Sequence, residues 1–257
     1  MNEPIGHFDH SWLTIVTVVK DDPIGFEATA KSIATQYLEG VEYLVIDSST
    51  DESEISHTLE LLGLNARVIW TPPHGIYSAM NQGLEQARGT YVYFANAGDT
   101  LNADVVSLVR EQLSHEGSAP WAYGPVTIVG QDGSQTITPE WNFECEKKHG
   151  FSQGNFPSHQ GTFARRRDLI EIGGFDSQLK VAADYAAFLS LSRISAPIEL
   201  KFSVATFHEG GISSHRWLTA HREFHQARMD ILQLDPEQSK QEKRNYLRRM
   251  VMASLYR

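Results

Sequence analysis

The residues best placed to do chemistry are carboxylates that end buried strands. Residues 91 to 95 (YVYFA) form a nearly continuous apolar run, as expected of a strand covered on both faces, and deliver Asn96-Ala97-Gly98-Asp99. Residues 41 to 47 (VEYLVID) form a second such run and end in Asp47. Open α/β sheets keep their ligands at the carboxyl ends of their strands. A carboxylate there can hold a hard divalent cation together with phosphate oxygens and water. Between the two acids His74-Gly75 opens a helix, where glycine lets the backbone approach a ligand and free amides favour an anion. Helix, strand and acidic turn follow in one stretch, residues 71 to 101. That arrangement suits a metal and phosphate site for a nucleotide.

The elements that must position these groups are legible as patterns. Ile76, Ala79, Met80, Gly83, Leu84 and Ala87 recur at spacings of three and four, which predicts one apolar helical stripe ended by Gly89. Residues 13 to 19 (LTIVTVV) are β-branched and apolar, and Phe26, Ala30, Ile33, Ala34 and Tyr37 share one helical face after them. A helix carrying Ile55, Leu59 and Leu62 precedes a third strand at Arg67 to Trp70. This alternation predicts a largely parallel sheet with helical crossovers. A dinucleotide-binding Rossmann domain fits poorly, because the first strand runs into Lys20-Asp21-Asp22-Pro23-Ile24-Gly25 with one glycine where the pyrophosphate turn wants a spaced set.

Composition sets the class. At 257 residues the chain reads as one large α/β domain with a C-terminal extension. A lone cysteine, Cys145, excludes an intrachain disulfide framework and agrees with a reducing compartment. The first residues lack the basic and apolar segments of a signal peptide, and no run approaches membrane-spanning length, so a cytoplasmic location is expected. The net charge of −10 argues against sequence-independent nucleic-acid binding. From Arg216 onward nine Lys and Arg stand against five Asp and Glu, leaving −14 for the preceding residues. This basic segment reads as two helices broken near Asp235-Pro236. It either meets an anionic membrane surface peripherally or packs on the domain with a solvated face.

Four landmarks in order resemble the family 2 glycosyltransferases of the GT-A fold, above all the bacterial members that build surface polysaccharides. They are LTIVTVV; VIDSSTDES; HGIYSAMNQGLEQARGTYVYFANAGDTL; and SHQGTFARRRDLIEIGGFDSQLKVAADYAAFLSLSR followed by ATFHEGGISS. The resemblance spans about residues 12 to 214. It implies an α/β, Rossmann-like, mainly parallel sheet flanked by helices over 1–215, with a donor half at about 12–101 and an acceptor half at about 102–215. Residues 216–257 form the basic helical extension. The implied activity is transfer of a sugar from a nucleotide diphosphate donor, UDP favoured, to a hydroxyl of a saccharide or lipid-linked acceptor. Inversion at the anomeric carbon and help from Mg²⁺ or Mn²⁺ come with it.

The resemblance also assigns residues. Asp99 is the expected metal ligand, although Asn96 and Gly98 stand where further carboxylates often occur; the alternative is that Asp99 caps a helix after Asn102. Asp47 resembles the acid that accepts the uracil N3 hydrogen, and its alternative is an Asx turn at the strand end. Thr17 and Val19 would lie along the nucleoside or simply pack in the strand. His74 and Gly75, where relatives often carry a cation, would meet the diphosphate, and Asn96 and Asn81 complete the donor set, Asn81 being otherwise a surface amide.

On the acceptor side Asp184, in Val181-Ala182-Ala183-Asp184-Tyr185, matches the catalytic base, an acid that otherwise caps its helix. Gly173-Gly174-Phe175-Asp176 looks structural. His159 and Gln160 open HQGTF, read as a strand, and would touch the donor diphosphate or the acceptor. Arg165, with Arg166 and Arg167, would meet a lipid diphosphate, and His208 would supply a late metal or phosphate contact. Residues 140 to 158 read as a lid or as an exposed crossover. Two further classes stand behind the transferase: a sugar nucleotidyltransferase, whose glycine- and arginine-rich signature is missing, and a catalytically silent sugar-nucleotide-binding protein.

Overall fold

The computed structural model describes residues 11–51, 53–115, 119–138, 142–148, 156–208 and 217–255. Strands β1 (Leu13–Val19), β2 (Val41–Asp47) and β3 (Ala66–Trp70) run parallel, joined by helices α1 (Pro23–Ala34) and α2 (Ser53–Leu61). Helix α3 (Ile76–Gln86) returns the chain to β4 (Tyr91–Phe94), parallel to β1 on its other side. Next come β5 (Thr100–Leu101), α4 (Val105–His115), β6 (Trp121–Tyr123), β7 (Val126–Val129), β8 (Gln135–Ile137) and α5 (Phe143–Lys148). A 3-10 turn (His159–Gly161) leads into β9 (Thr162–Arg165), which lies antiparallel between β4 and β6. The chain continues through α6 (Arg166–Glu171), α7 (Ala183–Ile194), β10 (Ile198–Glu199) and β11 (Ala205–His208) to α8 (Trp217–Ile231) and α9 (Pro236–Leu255).

Among the described residues the main sheet has the order β10-β6-β9-β4-β1-β2-β3, and a smaller sheet has the order β5-β11-β7-β8. All seven residues of β1 are buried, which is why it reads as an unbroken apolar run. Leu13, Ile15, Tyr43, Val45 and Tyr93 join Phe26, Ile33 and Ile55 in one core, while Val16, Leu44, Ile46 and Phe94 join Met80, Leu84, Phe175 and Phe188 in the other. Helix α3 sits tightly on β1 because Gly83 lacks a side chain; a Cβ there would lie 2.4 Å from Val16 Cγ1.

Several local expectations need correction. Helix α1 ends at Ala34, so Tyr37 falls beyond it and is 60% exposed. Ile76 starts α3 but is 41% exposed. Helix α3 stops at Gln86, with Ala87 already extended as its cap, three residues before Gly89 would end it. His159 and Gln160 belong to the 3-10 turn rather than to a strand. Of residues 140 to 158, 143–148 form α5 and 149–155 lie outside the described residues, as does the EGGISS segment after His208.

The basic extension packs on the domain. Phe224, Ala227, Ile231 and Leu232 of α8 and its exit join the Phe175 and Phe188 core, and His225 stacks on Tyr246 of α9 at 4.3 Å. No described helix is long and apolar enough to cross a membrane.

Candidate active site

Asp47 ends β2 fully buried. Its Oδ1 accepts the Ser49 N–H at 2.8 Å, the Asx turn that was its alternative role, yet its Oδ2 is buried without a hydrogen-bond partner. A buried carboxylate oxygen left this way costs free energy, which a hydrogen-bond donor from a ligand or a water would recover. The loops after β1 and β2 are stitched together around it: the Asp21 N–H donates to Ser49 Oγ at 2.9 Å, and the Thr50 N–H to Asp21 Oδ1 at 2.8 Å. That Thr50 bond also holds the Asp21 carboxyl below its usual range. A cavity of about 210 Å³ opens here between Asp21, Pro23, Ser49, Thr50 and Glu54. Trp70, in register with Asp47 and thus on the same face of the sheet, is 47% exposed and donates its indole N–H to Ser49 O at 3.1 Å.

The turn after β4 is built from α1. The Thr29 hydroxyl donates to Asp99 O at 2.7 Å and accepts the Gly98 N–H at 3.0 Å, while the Asp99 N–H closes onto Asn96 O at 2.9 Å. This leaves Asp99 aimed inward: Oδ1 accepts from Gln160 Nε2 at 3.4 Å, and Oδ2 is buried without a hydrogen bond. Asp99 caps nothing. The residues after it pair with β11, and α4 starts only at Val105.

His159 joins this turn to Asp184. The Tyr93 hydroxyl donates to Gln160 O at 2.7 Å and so anchors the 3-10 turn beside the end of β4. The imidazole then places Nδ1 3.2 Å from Asp184 Oδ2 and Nε2 3.6 Å from Asp99 Oδ2. Burial opposes a charge on this ring, but the hydrogen bonds and charges of Asp184 and Asp99 outweigh it and raise the His159 pKa to about 10. A doubly protonated ring needs an acceptor at Nε2 as well. Asn96, 3.1 Å away through Nδ2, offers one when its amide turns its oxygen inward.

Asp184 lies in the first turn of α7, where its Oδ1 accepts the Tyr185 N–H at 2.8 Å. Tyr77, in the first turn of α3, donates its hydroxyl to Val181 O at 2.6 Å and lies 3.3 Å from Asp184 Oδ1. Burial, followed by the Asp184 charge, raises the Tyr77 pKa far above its ordinary value, so it stays a phenol and a donor. Asn96, Asp99, His159, Gln160 and Asp184 thus form one cluster, with Asp47 two strands away on the same sheet edge.

Other expected site residues lie elsewhere. Thr17 is fully buried with its Oγ1 accepting from the Tyr43 hydroxyl at 3.3 Å, and the Val19 side chain is in the core; both pack the strand instead of facing the cleft. Asn81 spends both amide ends on Phe175, donating to its carbonyl at 2.7 Å and accepting its N–H at 2.8 Å, and so holds the GGFD turn. Arg165 pairs across the sheet with Tyr91, at the start of β4, and bridges to Asp168. It therefore sits at the opposite end of the sheet from the cluster. Arg166 there donates to Leu84 O and Glu85 O at the end of α3. His74 and Gly75 are exposed at the start of α3, Gly75 with φ 99°, a conformation that favours glycine. Sequence reasoning missed Tyr77 and Thr29, both within quoted landmarks or helices, and the contacts of α8 described below.

A divalent ion fits the donor side only in partnership with a ligand. Asp99 Oδ2 is a hard oxygen of the right kind, with no hydrogen bond and the His159 ring 3.6 Å away, but no three His, Cys, Asp or Glu side chains gather into a cage among the described residues. His208 ends β11 exposed and joins no group of metal-ligating side chains among the described residues. Phosphate oxygens would have to complete the coordination.

A mainly parallel α/β sheet with carboxylates at its strand ends is the architecture, and comparison with known proteins gives the class. Residues 14–173 match the model of Glycosyl transferase family 2, and the chain belongs to that family. It is 28% identical over 211 residues to an uncharacterized glycosyltransferase of Mycobacterium tuberculosis, covering 79% of this chain and 78% of the relative. A PGL/p-HBAD biosynthesis glycosyltransferase of Mycobacterium bovis is 28% identical over 162 residues, 62% of this chain and 60% of its own. Among solved structures, S. aureus TarS 1-349 in complex with UDP-GlcNAc superposes with a TM-score of 0.69 at 18% identity, covering 91% of this chain and 71% of that one. Mannosyltransferase PcManGT from Pyrobaculum calidifontis, in complex with GDP-Man and Mn²⁺, gives 0.63 at 16%, covering 91% and 68%. The chain spans 42% of a longer TarS chain. The fold is GT-A.

Proposed function

We propose that the protein transfers a sugar, with inversion, from a uridine diphosphate sugar to a hydroxyl of a saccharide or lipid-linked acceptor in surface polysaccharide biosynthesis. The observation that carries this reading is Asp47 Oδ2, buried without a hydrogen-bond partner at the end of β2, together with the Asp99 carboxylate, which the His159 ring joins to Asp184 of α7. Uracil offers an imide N–H that a carboxylate oxygen accepts, so Asp47 recognises the base. Asp99, with phosphate oxygens, would hold Mg²⁺ or Mn²⁺, which when bound neutralises the charge growing on the leaving diphosphate.

Asp184 is the general base. It takes the acceptor hydroxyl proton while that oxygen attacks the anomeric carbon from the face opposite the diphosphate, which leaves with the bonding electron pair. Tyr77 holds the entry of α7 through the Val181 carbonyl, and His159 keeps the carboxylate beside the donor turn. The outer face of α9 carries exposed Lys240, Lys243, Arg244, Leu247, Arg248 and Val251 at helical spacing, which suits peripheral contact with an anionic membrane holding a lipid-linked acceptor.

Calorimetry with UDP tests the donor assignment. Binding should weaken in Asp47→Ala and lose its enhancement by Mn²⁺ in Asp99→Ala. Tighter binding of GDP than of UDP would overturn it.

A further inference from the structure

Helix α7 begins without a cap of its own. Ala182 at its N-cap has no side-chain oxygen, and the amides of Lys180, Val181 and Ala182 converge on a single acceptor from the C-terminal extension. That acceptor is Glu223 of α8, only 8% exposed. Its Oε1 takes the Lys180 N–H at 3.1 Å, and its Oε2 takes the N–H groups of Val181 at 3.0 Å and Ala182 at 3.1 Å. A carboxylate at a helix start is favoured by the amide dipoles, and bonds to a charged acceptor are the strong ones.

A second grip lies three residues further on. Arg228, 2% exposed, donates to the Tyr185 hydroxyl at 3.2 Å and is itself held by Glu242 of α9 at 2.7 Å. The first turn of α7 is therefore clamped on both sides of Asp184. The Val181 carbonyl that faces Tyr77 belongs to the same peptide segment that Glu223 fixes.

We propose that Glu223 is a positioning residue for the transfer reaction, setting where the Asp184 carboxylate stands relative to the acceptor hydroxyl. This rests on Asp184 being the base. The carboxylate of Glu223 touches no substrate; it acts by fixing the backbone of 180–182, and with it the entry of α7. The two C-terminal helices are thereby part of the acceptor site's construction and more than a membrane-facing appendage.

The test uses the full chain with Glu223→Ala, Glu223→Gln and Asp184→Asn in parallel. Release of UDP from the UDP-sugar that the wild-type chain hydrolyses fastest, with water as acceptor, should slow in Glu223→Ala by about tenfold to a hundredfold, the usual consequence of misplacing a reacting group by about 1 Å. UDP affinity should stay within about twofold, since the donor turn shares no partner with Glu223. Glu223→Gln keeps an acceptor oxygen and should recover most of the rate. Amide exchange in the 177 to 188 segment should speed in Glu223→Ala by about tenfold or more while β1 to β4 stay protected, a reading that needs no sugar substrate. Unchanged exchange at 177 to 188, or uniform acceleration with UDP affinity lost in step with rate, would overturn the proposal. The failures are distinguishable. An active Asp184→Asn overturns the base assignment, whereas an inactive Asp184→Asn beside a fully active Glu223→Ala overturns the positioning role alone.

Discussion

Replacing Asp47 by Asn should move stability and donor affinity in opposite directions. In the ligand-free protein Asp47 is fully buried, one oxygen satisfied by the Ser49 N–H and the other by nothing. Asparagine can keep the Asx turn through its oxygen while removing the buried charge, at the expense of an amide N–H₂ with no better partner than the oxygen it replaces. Buried unsatisfied groups cost about 1–3 kcal/mol and charged ones more, so the exchange should stabilise the free protein by roughly 1 kcal/mol. For a chain of this size that raises Tm by about 2–4 °C. With UDP the balance reverses, because an amide donor then meets the uracil N–H donor. Loss of a hydrogen bond to a charged group, about 1.5–3 kcal/mol, predicts UDP affinity reduced about 10- to 150-fold. Cytosine presents an acceptor at the same ring position, so the preference for UDP over CDP should narrow. Differential scanning fluorimetry and calorimetry read the two halves separately. A lower Tm together with unchanged UDP affinity would refute the reasoning on both counts.

Other outcomes follow from the same geometry. Asp184→Asn should fold and bind UDP normally yet lose turnover by about a hundred to ten thousand fold in single-turnover assays. The folded His159 pKa of about 10 stands above the ordinary 6.5, so its stabilisation is complete below 6.5 and is lost as pH rises through 10. In metal-free protein the stability gap between wild type and His159→Gln should therefore shrink across that window, by at most about 1.4 kcal/mol per pH unit in denaturant titrations. Sedimentation with anionic vesicles should fall when Lys243, Arg244 and Arg248 are changed together to Glu, with UDP binding unaffected. Deleting α9 would not test this, because it would strip Glu242 from the buried Arg228 and destabilise the fold by about 3–5 kcal/mol.

The Asp99 edge of the sheet was legible because its parts are contiguous. One stretch of sequence carries α3, β4 and the Asp99 turn, and a strand buried on both faces announces itself as an apolar run. The same double burial hides orientation, which is why Thr17 and Val19 could not be told from cleft residues. Strand direction is equally silent in a sequence. Had β9 run parallel to β4, Arg165 would stand at the cleft and His159 at the far edge; the antiparallel register reverses them. Contacts across long separations leave no local signal, as with Tyr77 and Asp184, 107 residues apart, or Glu223 and the amides it gathers.

The departure from the family's acidic motif and the placement of His159 belong to one charge balance. Asp99 and Asp184 approach the two ring nitrogens at 3.6 and 3.2 Å, and with the imidazole protonated the three groups together carry a single negative charge. A carboxylate at position 96 would add a second before any diphosphate arrived. Two like charges about 4 Å apart cost roughly 4 kcal/mol at the effective dielectric of a partly buried site. Asn96 keeps the hydrogen-bonding reach to His159 without that charge. The histidine in turn gives the free site a cation of its own, placed between the Asp99 turn and Asp184. Under the proposed roles, one side chain would then couple the donor side to the acceptor side.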